Sequence, residues 1–160
     1  MAGEPGVVAE RDVEWLEAEN ARHEALLDSL TQLPRGALLI DRTTVALARA
    51  RRHGRDVAVF ILEQPRFPSG THDTRRVADV LRAALRPDDT LARIGPRRFA
   101  VVCNDLRADD DAAQVARRLV YGCGLVCGLG VALSTDRDTS IELIRRAVTA
   151  ATATDPRSAA

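Results

Sequence analysis

The sequence predicts an α/β domain in which helices cover an antiparallel or mixed sheet, preceded by a long amino-terminal helix. Three observations lead there. Short apolar runs alternate with stretches whose apolar residues recur every three or four positions, the two periods of a layered α/β fold. A Gly95-Pro96 pair divides two adjacent strand-like runs, and residues 9–30 contain neither Gly nor Pro. A chain of 160 residues holds one ordinary domain plus a helix, so the organisation read here is a helix over 1–31, a domain over 32–154 and a disordered tail over 155–160.

Taken in order, the first element is the amino-terminal helix. Val13, Leu16, Asn20, His23, Leu27 and Leu30 alternate at spacings of three and four, a heptad seam. The seam predicts pairing with a second copy or with a helical protein partner. In a parallel homodimer Asp12 would face Glu17 and Glu19 would face Glu24, so the expected homodimer is weak, or the partner carries basic flanks. Trp15 is the one tryptophan and stands at an outward position.

Beyond the break at Gln32-Leu33-Pro34-Arg35-Gly36, Leu39, Ile40, Thr44, Leu47 and Ala48 repeat at helical spacing until His53-Gly54. Residues 56–62 form a nearly unbroken apolar run, the pattern of a strand covered on both faces and central in its sheet. Val77, Val80, Leu81, Ala84 and Leu85 then line one side of a helix that Pro87 stops. Residues 90–94 and 98–103 read as the two strands of a hairpin with an exposed tip. Ala112, Val115, Ala116 and Leu119 mark a further helix, residues 125–133 a strand, and Ile141, Ile144, Val148 and Ala151 a last helix.

Composition removes several function classes. With 23 basic and 23 acidic residues the net charge is zero, which argues against a general nucleic-acid binder. No apolar run approaches the roughly 18 residues of a membrane span, so the expectation is a cytoplasmic protein with no membrane contact. Cys103, Cys123 and Cys127 lack metal-type spacing and lie in apolar stretches, so buried reduced thiols are expected. Gly122, Gly124, Gly128 and Gly130 precede or enter a strand instead of opening a helix, and so form no phosphate cradle.

Asp28-Ser29-Leu30-Thr31-Gln32-Leu33-Pro34 resembles the opening motif of GGDEF domains, the diguanylate cyclases that join two GTP molecules into cyclic di-GMP. The resemblance continues to about Ala153 through the helix containing Ala46-Leu47-Ala48-Arg49-Ala50-Arg51-Arg52, the strand over 57–62, the segment Asp89-Thr90-Leu91-Ala92-Arg93-Ile94-Gly95, and the order of elements. It implies the palm-like sheet of nucleotide cyclases, flanked by helices. Where the family pattern has Gly-Gly-Asp/Glu-Glu-Phe, this chain has Gly95, Pro96, Arg97, Arg98 and Phe99. Glu63 stands where the family has a metal-binding Asp, and between Phe67 and Gly70 the chain is about nine residues shorter than the family pattern, losing the stretch with the guanine-reading Asn.

Two-metal chemistry needs carboxylate oxygens, and guanidinium cannot ligate Mg²⁺. The resemblance therefore implies a pseudoenzyme, with no catalytic residues, no metal and no cofactor. Arg97 and Arg98 read first as solvated charges at the hairpin tip, and second as cations able to hold a phosphate.

Arg86-Pro87-Asp88-Asp89 matches the Arg-x-x-Asp product-inhibition site of the family, and Arg117 lies where the family has a further ligand-binding Arg. An Arg fork can donate to O6 and N7 of guanine, and a carboxylate can accept from its N1 and N2 hydrogens. The same four residues also arise by chance, with Asp89 merely capping its own turn. The function expected is a cyclic di-GMP receptor acting through Arg86, Asp89 and Arg117 and signalling through the amino-terminal helix. The alternative is a nucleotide-independent dimerisation or protein-interaction module.

Overall fold

The computed structural model describes residue 14 and residues 26–64, 71–107, 109–123 and 128–154. Its elements in chain order are α1 (Gly36–His53), β1 (Asp56–Glu63), α2 (Thr71–Ala83), β2 (Thr90–Gly95), β3 (Arg98–Leu106), α3 (Asp109–Cys123), β4 (Gly128–Leu133) and α4 (Ser140–Thr154). The strands lie in the order β2-β3-β1-β4 and every pairing is antiparallel, which decides between the two sheet types that the sequence allowed.

Strand β1 is central because it is apolar on both sides of its pleat. Val57, Val59 and Ile61 turn to one face and pack with Leu39, Leu47, Leu143 and Ile144 of α1 and α4. Ala58, Phe60 and Leu62 turn to the other and pack with Val77 and Leu81 of α2, Leu119 of α3, and Phe99. An antiparallel sheet with helices on both faces thus yields the continuous apolar run that parallel sheets more often show.

Helix α1 ends where Gly54 takes a left-handed conformation, φ 60°, and donates its N–H to Ala50 O. Arg51, Arg52 and His53 in the last turn suit the negative end of the helix dipole. Helix α4 starts with a capping box: Thr139 N–H and Oγ1 donate to Glu142 Oε2 at 2.8 and 2.9 Å, and Glu142 N–H returns to Thr139 Oγ1 at 3.3 Å. Those bonds hold the exposed Glu142 carboxyl below its usual range. Helix α4 lies so close to β4 that a Cβ on Gly130 would overlap the Ala147 carbonyl oxygen and the Ala151 amide nitrogen.

The lead-in to α1 departs from the predicted helix. Leu27 forms an isolated bridge with Pro34, and residues 29–31 are a turn, so residues 26–31 are not part of the helix expected to reach Thr31. Leu27 and Leu30 therefore do not belong to a helical seam. The remaining seam positions, Val13, Leu16, Asn20 and His23, lie outside the described residues, as do Trp15, Phe67, Cys127 and the tail over 155–160. The strand expected from residue 125 begins at Gly128; residues 124–127 also lie outside the described residues. Cys103 is buried, as expected, and burial drives its thiol pKa far upward.

Asp28 fixes the lead-in segment. Its Oδ2 accepts from Thr31 N–H at 2.8 Å and Thr31 Oγ1 at 2.7 Å, while Arg93 of β2 donates to both carboxylate oxygens at 3.0 and 3.1 Å. Burial opposes ionisation of Asp28, but the Thr31 bonds and the Arg93 guanidinium outweigh it and hold the carboxyl below its ordinary range. Arg93 N–H also donates to Pro34 O at 2.9 Å, so the lead-in segment covers the open edge of β2.

Candidate functional site

Two places bring together the residues that the sequence singled out. The first is the end of β1, where Glu63 lies opposite Arg98 of β3 and Gly128 of β4. The register makes Glu63 and Arg98 neighbours on one face of the sheet, and Arg98 Nε donates to Glu63 Oε1 in an ion pair. Their side chains are 19% and 18% exposed, so Arg98 is not the solvated tip charge expected from sequence. The cross-strand carboxylate explains the difference, since it satisfies a guanidinium that would otherwise turn to water.

The tip itself is tied down on both sides. Gln64 N–H donates to Arg97 O at 2.7 Å, and Arg93 Nη2 donates to Pro96 O at 2.9 Å. Gly95 and Arg98 face each other across Pro96 and Arg97. Among the described residues no group of three or more His, Cys, Asp or Glu could hold a metal ion. Mg²⁺ demands near-octahedral oxygen ligands, and the Glu63 carboxylate, shared with the Arg98 guanidinium, does not fit that demand.

The second place is the turn between α2 and β2. Asp89 N–H donates to Arg86 O at 3.1 Å, while Arg86 N–H and Asn104 N–H donate to Asp89 Oδ2 and Oδ1 at 3.0 and 3.4 Å. Asp89 does cap its own turn, then, and the capping fixes its carboxylate in place. Each carboxylate oxygen has two acceptor sites, so the capping bonds leave capacity for a ligand. Burial pushes the Asp89 carboxyl above the usual range, against the pull of the Arg86 and Asn104 N–H groups.

Two hollows open beside Asp89. One, of about 290 Å³, is lined by Arg42 and Arg49 of α1 together with Asp88, Asp89 and Asn104. The other, of about 480 Å³, lies towards α2 and the lead-in segment and includes Arg86 and Asp89 in its wall. Arg42, Arg49 and Arg82 were not singled out from sequence. Helical spacing says only that such positions face outward; which outward face meets the turn depends on the tertiary packing.

Arg117 is exposed on α3, and among the described residues no hydrogen bond or ion pair joins it to Arg86 or Asp89. Its neighbour Arg118 acts, with Asp89 and Arg86, on the Cys103 thiol of β3 after the larger effect of burial.

Residues 25–154 match the family described as "Diguanylate cyclase, GGDEF domain". Diguanylate cyclase TpbB of Pseudomonas aeruginosa is 33% identical over 116 residues, covering 66% of this chain and 27% of that protein. A bifunctional diguanylate cyclase/cyclic di-GMP phosphodiesterase, MucR, of the same organism is 35% identical over 105 residues, 60% of this chain and 15% of that protein. The chain thus spans about a quarter or less of the curated relatives it matches. A solved structure of TpbB comprising only the GGDEF domain superposes with a TM-score of 0.72 at 27% identity, covering 82% of this chain and 88% of that one. The GGDEF domain of DgcB from Caulobacter crescentus, solved in complex with c-di-GMP, gives a TM-score of 0.70 at 21% identity, with 83% and 91% covered.

These comparisons correct one expectation. The sequence reading held that the chain is not an enzyme, and that statement does not stand: relatives 33% identical are named diguanylate cyclases, and the matched family is itself described by that activity. No helix among the described residues is long and apolar enough to cross a membrane. With element order, antiparallel sheet and family match in agreement over residues 25–154, this chain belongs to the GGDEF domain family.

Proposed function

We propose that this domain binds cyclic di-GMP at the turn of residues 86–89 and passes the binding event to a partner through its amino-terminal segment. The observation that carries this reading is the preset geometry of Asp89, whose carboxylate two backbone N–H groups hold at the mouth of hollows lined by arginine. A fixed carboxylate beside exposed guanidinium forks suits guanine, which offers N1 and N2 hydrogens on one edge and O6 and N7 acceptors on another. Arg86 and Asp89 supply the central pair, and Arg117 contributes a further guanidinium from α3. A cyclic di-GMP complex is described for the DgcB domain; at 21% identity that likeness supports the shared fold.

Calorimetric titration of the chain with cyclic di-GMP tests the reading. Arg86→Ala abolishes the heat of binding. Asp89→Asn keeps one acceptor oxygen, for the Arg86 N–H, gives up the longer bond from Asn104 N–H and loses acceptor capacity for guanine, so it keeps the turn and binds poorly. If Asp89→Asn binds as the parent does, Asp89 serves only as a turn cap. If the parent gives no heat at high micromolar ligand while a control receptor does, the reading fails.

A further inference from the structure

The end of β1 carries a cation of the chain's own at the position where the family resemblance implies a divalent ion. We infer that Arg98 is the resident cation there: its guanidinium takes the place of a metal, neutralising Glu63 and fastening the end of β1 to β3, so that the site excludes Mg²⁺ and Mn²⁺. Ligand binding at the turn of residues 86–89 neither requires this nor follows from it.

Both partners are placed by the backbone. Glu63 is the last residue of β1, in register with Arg98 of β3 on one side and Gly128 of β4 on the other. A Cβ on Gly128 would lie 3.2 Å from Glu63 Cβ and 3.4 Å from its Cγ, so the glycine leaves the carboxylate's stem the room it uses. The next residue, Gln64, is buried. Its N–H donates to Arg97 O at 2.7 Å, and its Oε1 accepts from Thr74 Oγ1 at 3.3 Å. Arg93 Nη2 holds the other side of the tip through Pro96 O. The bond from Arg98 Nε to Glu63 Oε1 therefore joins two segments that are already fixed.

Charge and donor type decide which cation this place accepts. One carboxylate and one guanidinium cancel, and the pair is largely buried. Arginine keeps its proton at any ordinary pH, so titration does not vacate the position. A divalent ion reaching Glu63 must displace the guanidinium and leave that largely buried charge beside two more of the same sign. Separating such a pair is costly, and little is available to offset the cost. Mg²⁺ keeps several waters and is held by one or two carboxylates together with substrate phosphates. Glu63 is the one carboxylate among the three residues in register here, and no group of three or more His, Cys, Asp or Glu among the described residues could hold a metal.

The experiment is backbone amide NMR of the chain with MnCl₂, whose paramagnetism broadens amides near a bound ion, alongside thermal unfolding in EDTA and in MgCl₂. In the parent, millimolar Mn²⁺ broadens the amides of residues 63, 98 and 128 no more than that of Asp79, an exposed carboxylate of α2. The parent's melting temperature is the same in EDTA as in MgCl₂. Arg98→Glu sets two carboxylates opposite each other and lowers the melting temperature in EDTA by about 5 °C. Mg²⁺ restores much of that loss, and Mn²⁺ now broadens residues 63, 98 and 128 selectively. Selective broadening at those residues in the parent overturns the inference. So does its absence from a folded Arg98→Glu, because Arg98 is then not what excludes the ion. Should Arg98→Glu fail to fold with or without metal, Arg98→Gln decides: its carbonyl oxygen joins the carboxylate of Glu63, selective broadening there supports the inference, and none overturns it.

Discussion

Removing the Asp28 carboxylate is expected to destabilise the domain by about 3 kcal/mol, the low end of the range for breaking a buried ion pair from one side. The structure sets that figure. Asp28 accepts two bonds from Thr31 and two from Arg93, and the paired side chains are only 17% and 15% exposed. In Asp28→Ala the Arg93 guanidinium keeps its bond to Pro96 O, but its Nε is already buried without a partner, so the lost carboxylate has no substitute nearby. Asp28→Asn retains one acceptor for Thr31 and costs about half as much. Urea unfolding at pH 7 reads the change as a lower midpoint at constant slope, and at about 2 kcal/mol per molar the shift is about 1.5 M. The sign of the pH dependence follows from the lowered folded-state pKa: the stabilisation is present above the unfolded value of 3.8 and is lost as pH falls through the folded value. The gap between parent and Asp28→Asn therefore closes in acid. A double-mutant cycle with Arg93→Ala yields a coupling of at least about 1 kcal/mol. A loss under about 0.5 kcal/mol in Asp28→Ala, or a coupling near zero, refutes the reasoning.

Other predictions concern the packing, the strained turn and the site. Gly130→Ala pushes α4 off the sheet and lowers stability by about 3 kcal/mol in the same urea assay; a loss below about 1 kcal/mol shows that the helix can yield. Gln32 holds φ 59° with its side chain bonded to Ser29 O at 3.1 Å, so Gln32→Gly relieves a left-handed strain and raises thermal stability by about 0.5 kcal/mol, while a lower melting temperature would show that the side-chain bond matters more. Because burial raises the Asp89 pKa above 3.8, affinity for cyclic di-GMP weakens on acidification before an ordinary aspartate would protonate, and Asp89→Asn flattens that profile. The same raised value makes the charged Asp89 a cost to folding that disappears below its folded pKa, opposite in sign to Asp28.

Much of this architecture is legible in the residues themselves. The apolar run over 57–62 implied a strand covered on both faces, and β1 is that strand. Gly95-Pro96 implied a hairpin, and β2 and β3 meet there. Residues 26–31 were misread as helical for a physical reason. Leu27 and Leu30 continue the three-four spacing, but Leu27 is held against Pro34 and Asp28 is claimed by Arg93, 65 residues away. Periodicity sees neighbours along the chain and cannot see such a partner. Arg98 was misread in the same way, because its carboxylate comes from another strand. At the turn, the spacing of Arg86 and Asp89 exposed the pair, whereas Arg42 and Arg82 carry no local signature. They become candidates only once α1 and α2 are packed on opposite faces of the sheet beside the β2 edge.

The central claim is that a cyclic dinucleotide seats at the turn between α2 and β2. Backbone amide NMR of the chain during titration with cyclic di-GMP tests it most directly. The account predicts saturable shifts centred on residues 82–93 and reaching 117–118 and Leu27. Shifts centred instead on Glu63, Arg98 and Gly128, or none at saturating ligand, contradict it.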